Sequence, residues 1–99
     1  MTWQIGCGQI TWNRATPEDR ILAEIAQAGY EGAPAGPQGN RSPKETVELF
    51  ARHGLKPAPG YFSADWWDAS QRAAILEQAD RYANFAREVG CTELYVAPS

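Results

Sequence analysis

Two short stretches each set an asparagine and an arginine just ahead of a helix start: Trp12-Asn13-Arg14 and Gly39-Asn40-Arg41. Two guanidinium groups beside two helix N-termini suit a phosphate or carboxylate, because free first-turn N–H groups and the guanidinium fork both favour negative charge. The competing reading makes them solvated loop residues. A third stretch, Tyr61-Phe62-Ser63-Ala64-Asp65-Trp66-Trp67-Asp68, sets aromatic rings among acids. Rings stack on the CH faces of a sugar while carboxylates take its hydroxyls, so Tyr61, Phe62, Trp66 and Trp67 are candidate sugar contacts. Packing is an equal alternative for Trp66 and Trp67, folded over the mouth of the sheet or buried between copies. No residue is assigned a catalytic role.

Other reactive side chains read as structural. His53 precedes Gly54 at a helix end, where its ring meets free carbonyls and the negative end of the helix dipole. Glu31 opens a strand and reads as solvated or salt-bridged, while Glu93 fits either an inward or an outward orientation. Gly6-Cys7-Gly8-Gln9-Ile10-Thr11 lacks the third glycine and helix start of a dinucleotide site. No phosphate loop, nucleophile elbow or Ser/His/Asp set is present. Cys7 and Cys91 lie in apolar surroundings and read as reduced core thiols, with a disulfide as the alternative. One histidine and no Cys-x-x-Cys leave no local zinc site.

The elements that must position these residues announce themselves by their ends. Thr16-Pro17-Glu18-Asp19 and Ser42-Pro43-Lys44-Glu45 each offer a capping hydroxyl, a proline at the first helical position and an acid near the third. Asp68-Ala69-Ser70-Gln71 opens a third helix, capped by Asp68 or Ser70. Gly29, Gly54 and Gly90 mark the three stops. Helices are expected near 17–28, 43–53 and 69–89, and strands near 3–10, 30–33, 55–62 and 91–97. Strand, helix, glycine, strand is the alternation that builds parallel sheets. Pro34, Pro37, Pro57 and Pro59 require brief pairings, with the prolines near loops or at unpaired positions.

Together, Gly6-Cys7-Gly8-Gln9-Ile10-Thr11-Trp12, Ala28-Gly29-Tyr30-Glu31-Gly32 and the long helix before Val89-Gly90-Cys91-Thr92-Glu93-Leu94-Tyr95-Val96 resemble the N-terminal half of the xylose-isomerase-like TIM barrels, a superfamily of sugar isomerases, epimerases and inosose dehydratase. The resemblance covers essentially the whole chain. It implies an α/β fold of the (βα)3β type: a half-barrel of four parallel strands with helices on the outer face. It also implies a single domain over 1–99. In that family a glutamate commonly ends the second strand, where this chain has Ala33-Pro34-Ala35. The family's divalent metal is held by carboxylates and a histidine on strands five to eight, so no cofactor is expected in this chain. A complete barrel takes roughly 250 residues.

The function that follows is the N-terminal half of a sugar isomerase or epimerase-like barrel, which supplies substrate-binding loops and is inert or nearly so alone. The alternative is a self-associating half-barrel that acts as a small-polyol binding or structural module. Such a sheet leaves its inner face and two edges uncovered. The expected partners are therefore a second copy, in a dimer or tetramer, or a complementary C-terminal half, with a sugar or polyol as ligand. A third possibility, an open flavodoxin-like sheet with helices on both faces, needs no partner. A net charge of -3 without a basic stripe argues against nucleic acid. The start lacks a signal-peptide pattern, and no apolar run reaches the ~20 residues that span a bilayer. A soluble cytoplasmic protein without membrane partners is expected.

Overall fold

Ser42 opens a helix with a reciprocal capping box. Its Oγ accepts from Glu45 N at 3.1 Å, and the Glu45 carboxylate accepts from Ser42 N at 3.2 Å. With Pro43 at the first position, α2 runs Pro43–Arg52. Helix α1, Glu18–Gln27, begins differently from the expectation at Thr16: Pro17 stands at the N-cap and no side chain caps it. Thr16 N instead donates to Asn13 O at 2.9 Å, so Thr16 closes the preceding turn rather than the helix. Asp68 caps a 3-10 turn, Ala69–Gln71, that leads into α3, Arg72–Glu88.

All three helices stop the same way. Gly29, Gly54 and Gly90 have φ of 96°, 69° and 94°, a left-handed conformation that only glycine adopts without strain. The next N–H reaches back to the helix: Tyr30 to Ile25 O, Leu55 to Phe50 O and Cys91 to Ala86 O, at 3.3, 3.0 and 2.8 Å. These paired bonds satisfy otherwise orphaned carbonyls and turn the chain sharply. The chain is thereby aimed back toward the sheet.

In this computed structural model, which describes residues 3–37 and 41–99, the chain is a mixed α/β fold with four short strands in two small parallel sheets. β1, Gly32–Pro34, pairs with β2, Lys56–Ala58; β3, Tyr61–Ala64, pairs with β4, Tyr95–Pro98. The segment expected as a strand at 3–10 is reduced to one parallel bridge, Gly6 to Gly32, flanked by Cys7 N to Gly32 O and Glu31 N to Ile5 O. Gly6 and Gly8 weaken the strand preference there, and no described strand lies on its other side. The run expected at 55–62 is split in two by Pro59-Gly60. The last strand starts at Tyr95 rather than Cys91, since Cys91 is held by the end of α3.

The prolines follow the hydrogen bonds. On β2, Lys56 N donates to Glu31 O and Ala58 O accepts from Ala35 N, so the intervening Pro57 faces away from β1 and no ladder donor is lost. The Pro59-Gly60 break also shifts the alternation of side chains. Ala33 is fully buried among the helices while its neighbour Pro34, in register with Ala58, lies on the opposite face. Beyond the break it is Phe62 that is buried, and Tyr61 that is exposed. Ala58 and Tyr61 thus share the open face although three positions separate them.

The core lies on the other face. Ile21, Leu22 and Ile25 from α1, Leu49 and Phe50 from α2, Ala33 and Leu55 form one cluster, so α1 and α2 cover the same side of β1. Burial of side chains of this size stabilises by about 1.5–3 kcal/mol each. Phe62 stacks on Tyr82 of α3 at 4.9 Å between ring centroids.

Three surface carboxyls tie this framework to pH. The hydrogen bond from His53 holds Asp19 below its ordinary range, the backbone N–H of Ser42 does the same for Glu45, and Ser70 for Asp68. A depressed folded pKa stabilises above the unfolded value and the contribution disappears as pH falls through the folded one. On account of these groups the thermal midpoint should be level from pH 7 to 5 and fall below about pH 4. Circular dichroism melts across that range check it, and a midpoint that rises on acidification would contradict the assignment.

Candidate functional site

The carboxyl ends of parallel strands are where such folds gather ligand-facing side chains; the candidate residues fall into three groups, of which Tyr61 lies instead at the amino end of β3. The first surrounds a cleft of about 620 Å³ between the segment after Gly8 and the start of α1, lined by Gln9, Trp12, Asn13, Arg14 and Glu18 among others. Trp12 is half-buried against the core and its Nε1 donates to Glu24 of α1. Asn13 Oδ1 accepts from Ala15 N at 2.9 Å, which folds the loop on itself. Arg14 is exposed. Arg41 binds Glu18 Oε2 at 2.6 Å, with both side chains about one-third exposed.

The anion site expected from two guanidiniums is therefore altered by a carboxylate. Arg41 spends its charge on Glu18, and Arg14 is the guanidinium of the described residues left facing this cleft. Asn40 lies outside the described residues.

The second group is the aromatic stretch after the break. The structure places Phe62 in the core at 4% exposure, with Trp66 edge-on to it at 5.2 Å between centroids. Trp66 Nε1 donates to Ala97 O at 2.8 Å, which fastens the loop to β4. Trp67 is 70% exposed and borders an apolar groove of about 400 Å³ with Asp68, Arg72, Ile75 and Leu76. Tyr61 stands on the open face, 5.4 Å from the ring of Tyr95 and tilted to it by 41°.

A third feature joins Tyr61 to the first strand segment. Tyr61, Gly8, Gln9, Ile10, Pro34 and Gly60 border a cleft of about 260 Å³ that no charged side chain lines. Tyr95 and Gln9 were not singled out by the sequence reasoning. The alternation in Leu94-Tyr95-Val96 was the signal for Tyr95, but its use requires the register Tyr61 to Tyr95, which only the fold supplies.

The remaining titratable groups are structural or peripheral. His53 Nε2 lies 2.8 Å from Asp19 Oδ1 and links the end of α2 to the start of α1. Glu31 and Glu93 are exposed. Cys7 and Cys91 are free and half-buried, and burial raises the Cys91 thiol above its ordinary value. Among the described residues no group of three or more His, Cys, Asp or Glu could hold a metal ion. No described helix is long and apolar enough to cross a membrane. No family model matches the chain, and no curated protein matches it.

Proposed function

We propose that the chain is the N-terminal half of a sugar isomerase or epimerase-like barrel, which supplies polyol-binding side chains from its loops and the open face of its strands and takes its catalytic groups from elsewhere. The observation that carries this reading is the parallel pairing in chain order. The segment at Gly6 bridges to β1, β1 pairs with β2, and β3 pairs with β4. Right-handed crossovers that always advance in one direction put every helix on one side, which is how a sheet curls toward a barrel. The shared face of α1 and α2 on β1 supports the same reading over an open sheet with helices on both sides. The uncharged cleft beside Tyr61 suits a neutral polyol better than a phosphate.

A purified sample of the 99-residue chain, supplied with a divalent metal and with ketose or inosose substrates, is expected to show no turnover above background. Robust turnover would overturn the assignment of catalysis to a second half.

A second reading, self-association, is favoured by a separate observation. Trp3, Ile5 and Ile10 on the first segment are 79%, 60% and 96% exposed, and Val96 on β4 is 66% exposed, so the edge of each of the two sheets presents large apolar side chains. Such edges are covered in stable proteins. In a two-fold assembly β4 of one copy would meet the first segment of the other. Light scattering distinguishes the cases: a monodisperse dimer or tetramer supports self-pairing, and a monomer at high concentration opposes it.

A further inference from the structure

We propose that Tyr61 and Tyr95 together form a stacking platform for a neutral polyol or monosaccharide on the open face of the sheet. This rests on the polyol-binding reading above and adds Tyr95 as a binding residue. The two rings come from paired positions of β3 and β4, with centroids 5.4 Å apart and a 41° tilt. Neither is needed to cover the helices, since Phe62 occupies that role from the opposite face and stacks on Tyr82. Tyr61 and Tyr95 are instead 60% and 46% exposed.

The surroundings define the class of ligand. An aromatic face binds the CH side of a sugar ring, and the phenol hydroxyls at its rim hydrogen-bond to ligand hydroxyls. Ser63 follows Tyr61 by two residues on β3, so its hydroxyl falls on the same face roughly 7 Å farther along. On the other side of Tyr61 the cleft of about 260 Å³ offers the Gln9 amide beside the apolar surfaces of Ile10 and Pro34. Its lining carries no charge. A phosphorylated sugar or a carboxylate would find no cation there, whereas a neutral ring with one apolar and one hydroxylated side meets a matching surface. Tyr95 widens that surface by one strand beyond the cleft.

The test uses the full chain with myo-inositol and D-xylose as probes, followed by NMR. Saturation transferred to the probe from the aromatic ring resonances reports contact, and titration gives the affinity. Tyr61→Leu and Tyr95→Leu keep apolar volume on the strand while removing the flat ring, and Tyr95→Phe keeps the ring. Each leucine variant should bind about tenfold more weakly, and the phenylalanine variant, which keeps the ring and loses one hydroxyl, about threefold more weakly. Glu48→Gln, on the exposed side of α2, should bind unchanged. Polyol binding that both leucine variants retain in full would overturn the platform and leave the polyol reading standing. Absence of binding to both probes by the wild-type chain would overturn the platform and the polyol reading together.

Discussion

Phe50→Ala should lower the free energy of unfolding by about 3–5 kcal/mol. Phe50 has no exposed surface and is the largest of the fully buried side chains, set among Leu22, Ile25 and Ala33 where α1, α2 and β1 meet. Its removal loses the transfer energy of a benzyl group and leaves a hole that three different elements would have to collapse to fill. Phe50 O also accepts the bond from Leu55 N that ends α2, so relaxation of the helix toward the hole would disturb its stop. A domain of this size has a total stability of about 5–15 kcal/mol, so the variant stands near the edge of folding. Urea titration followed by circular dichroism measures the effect. Val47→Ala on the same helix, at a site 37% exposed, should cost less than about 1 kcal/mol. Equal midpoints for Phe50→Ala and Val47→Ala would refute this account of the core.

Gly60→Ala is the second large effect, at about 3 kcal/mol. A β-carbon at position 60 would run into the carbonyl oxygen of Ala35. That carbonyl cannot retreat freely, because Ala35 N is itself bonded to Ala58 O at 3.2 Å. The clash is with backbone, so no rotamer change relieves it. Gly32→Ala meets a related obstacle, Lys56 O at 2.6 Å from the added carbon. Gly8→Ala has nothing within 4 Å and serves as the comparison, expected to be near neutral. Thermal melts of Gly60→Ala and Gly8→Ala decide the matter, and similar midpoints would show that the backbone gives way there. Because Gly60 borders the cleft beside Tyr61, a surviving Gly60→Ala protein should also show shifted Tyr61 resonances.

The helix ends were legible because their signals are local. Ser42 through Glu45 carry their own hydrogen-bond partners within one turn, and a glycine after an apolar face needs no distant information to stop a helix. Thr16 shows the limit of that logic: a hydroxyl ahead of Pro17 serves equally as a turn residue, and the asparagine three positions earlier took its N–H. Strand lengths were less legible, since a strand is as long as its neighbour allows. The segment at 3–10 has the apolar residues for a strand but only one bridge to sustain it.

Site residues were harder still. Trp12 was a ligand candidate by its position, but its Nε1 found Glu24, twelve residues away on a helix. Arg41 found Glu18 across the space between two loops. For Tyr61 and Phe62 the alternation of a strand fixes that one faces in and the other out, yet Pro59-Gly60 resets the phase, so counting from Ala58 assigns them the wrong way round. The chemistry of the side chains was visible in order along the chain. Their pairing was set by contacts that cross it.

The interruption at Pro59-Gly60 also bears on how the molecule opens. The cluster that includes Phe50 draws its buried residues from α1, β1, α2 and the residue that leads into β2, while Phe62, Phe85, Ala86 and Val89 are buried outside it. Regions with separate buried contacts are expected to open with different free energies, so amide protons in β3 and β4 should exchange with solvent at rates unlike those of α1 and α2. On that expectation the tyrosine pair loosens without the helices around Phe50, and equal protection in native-state hydrogen exchange would contradict it.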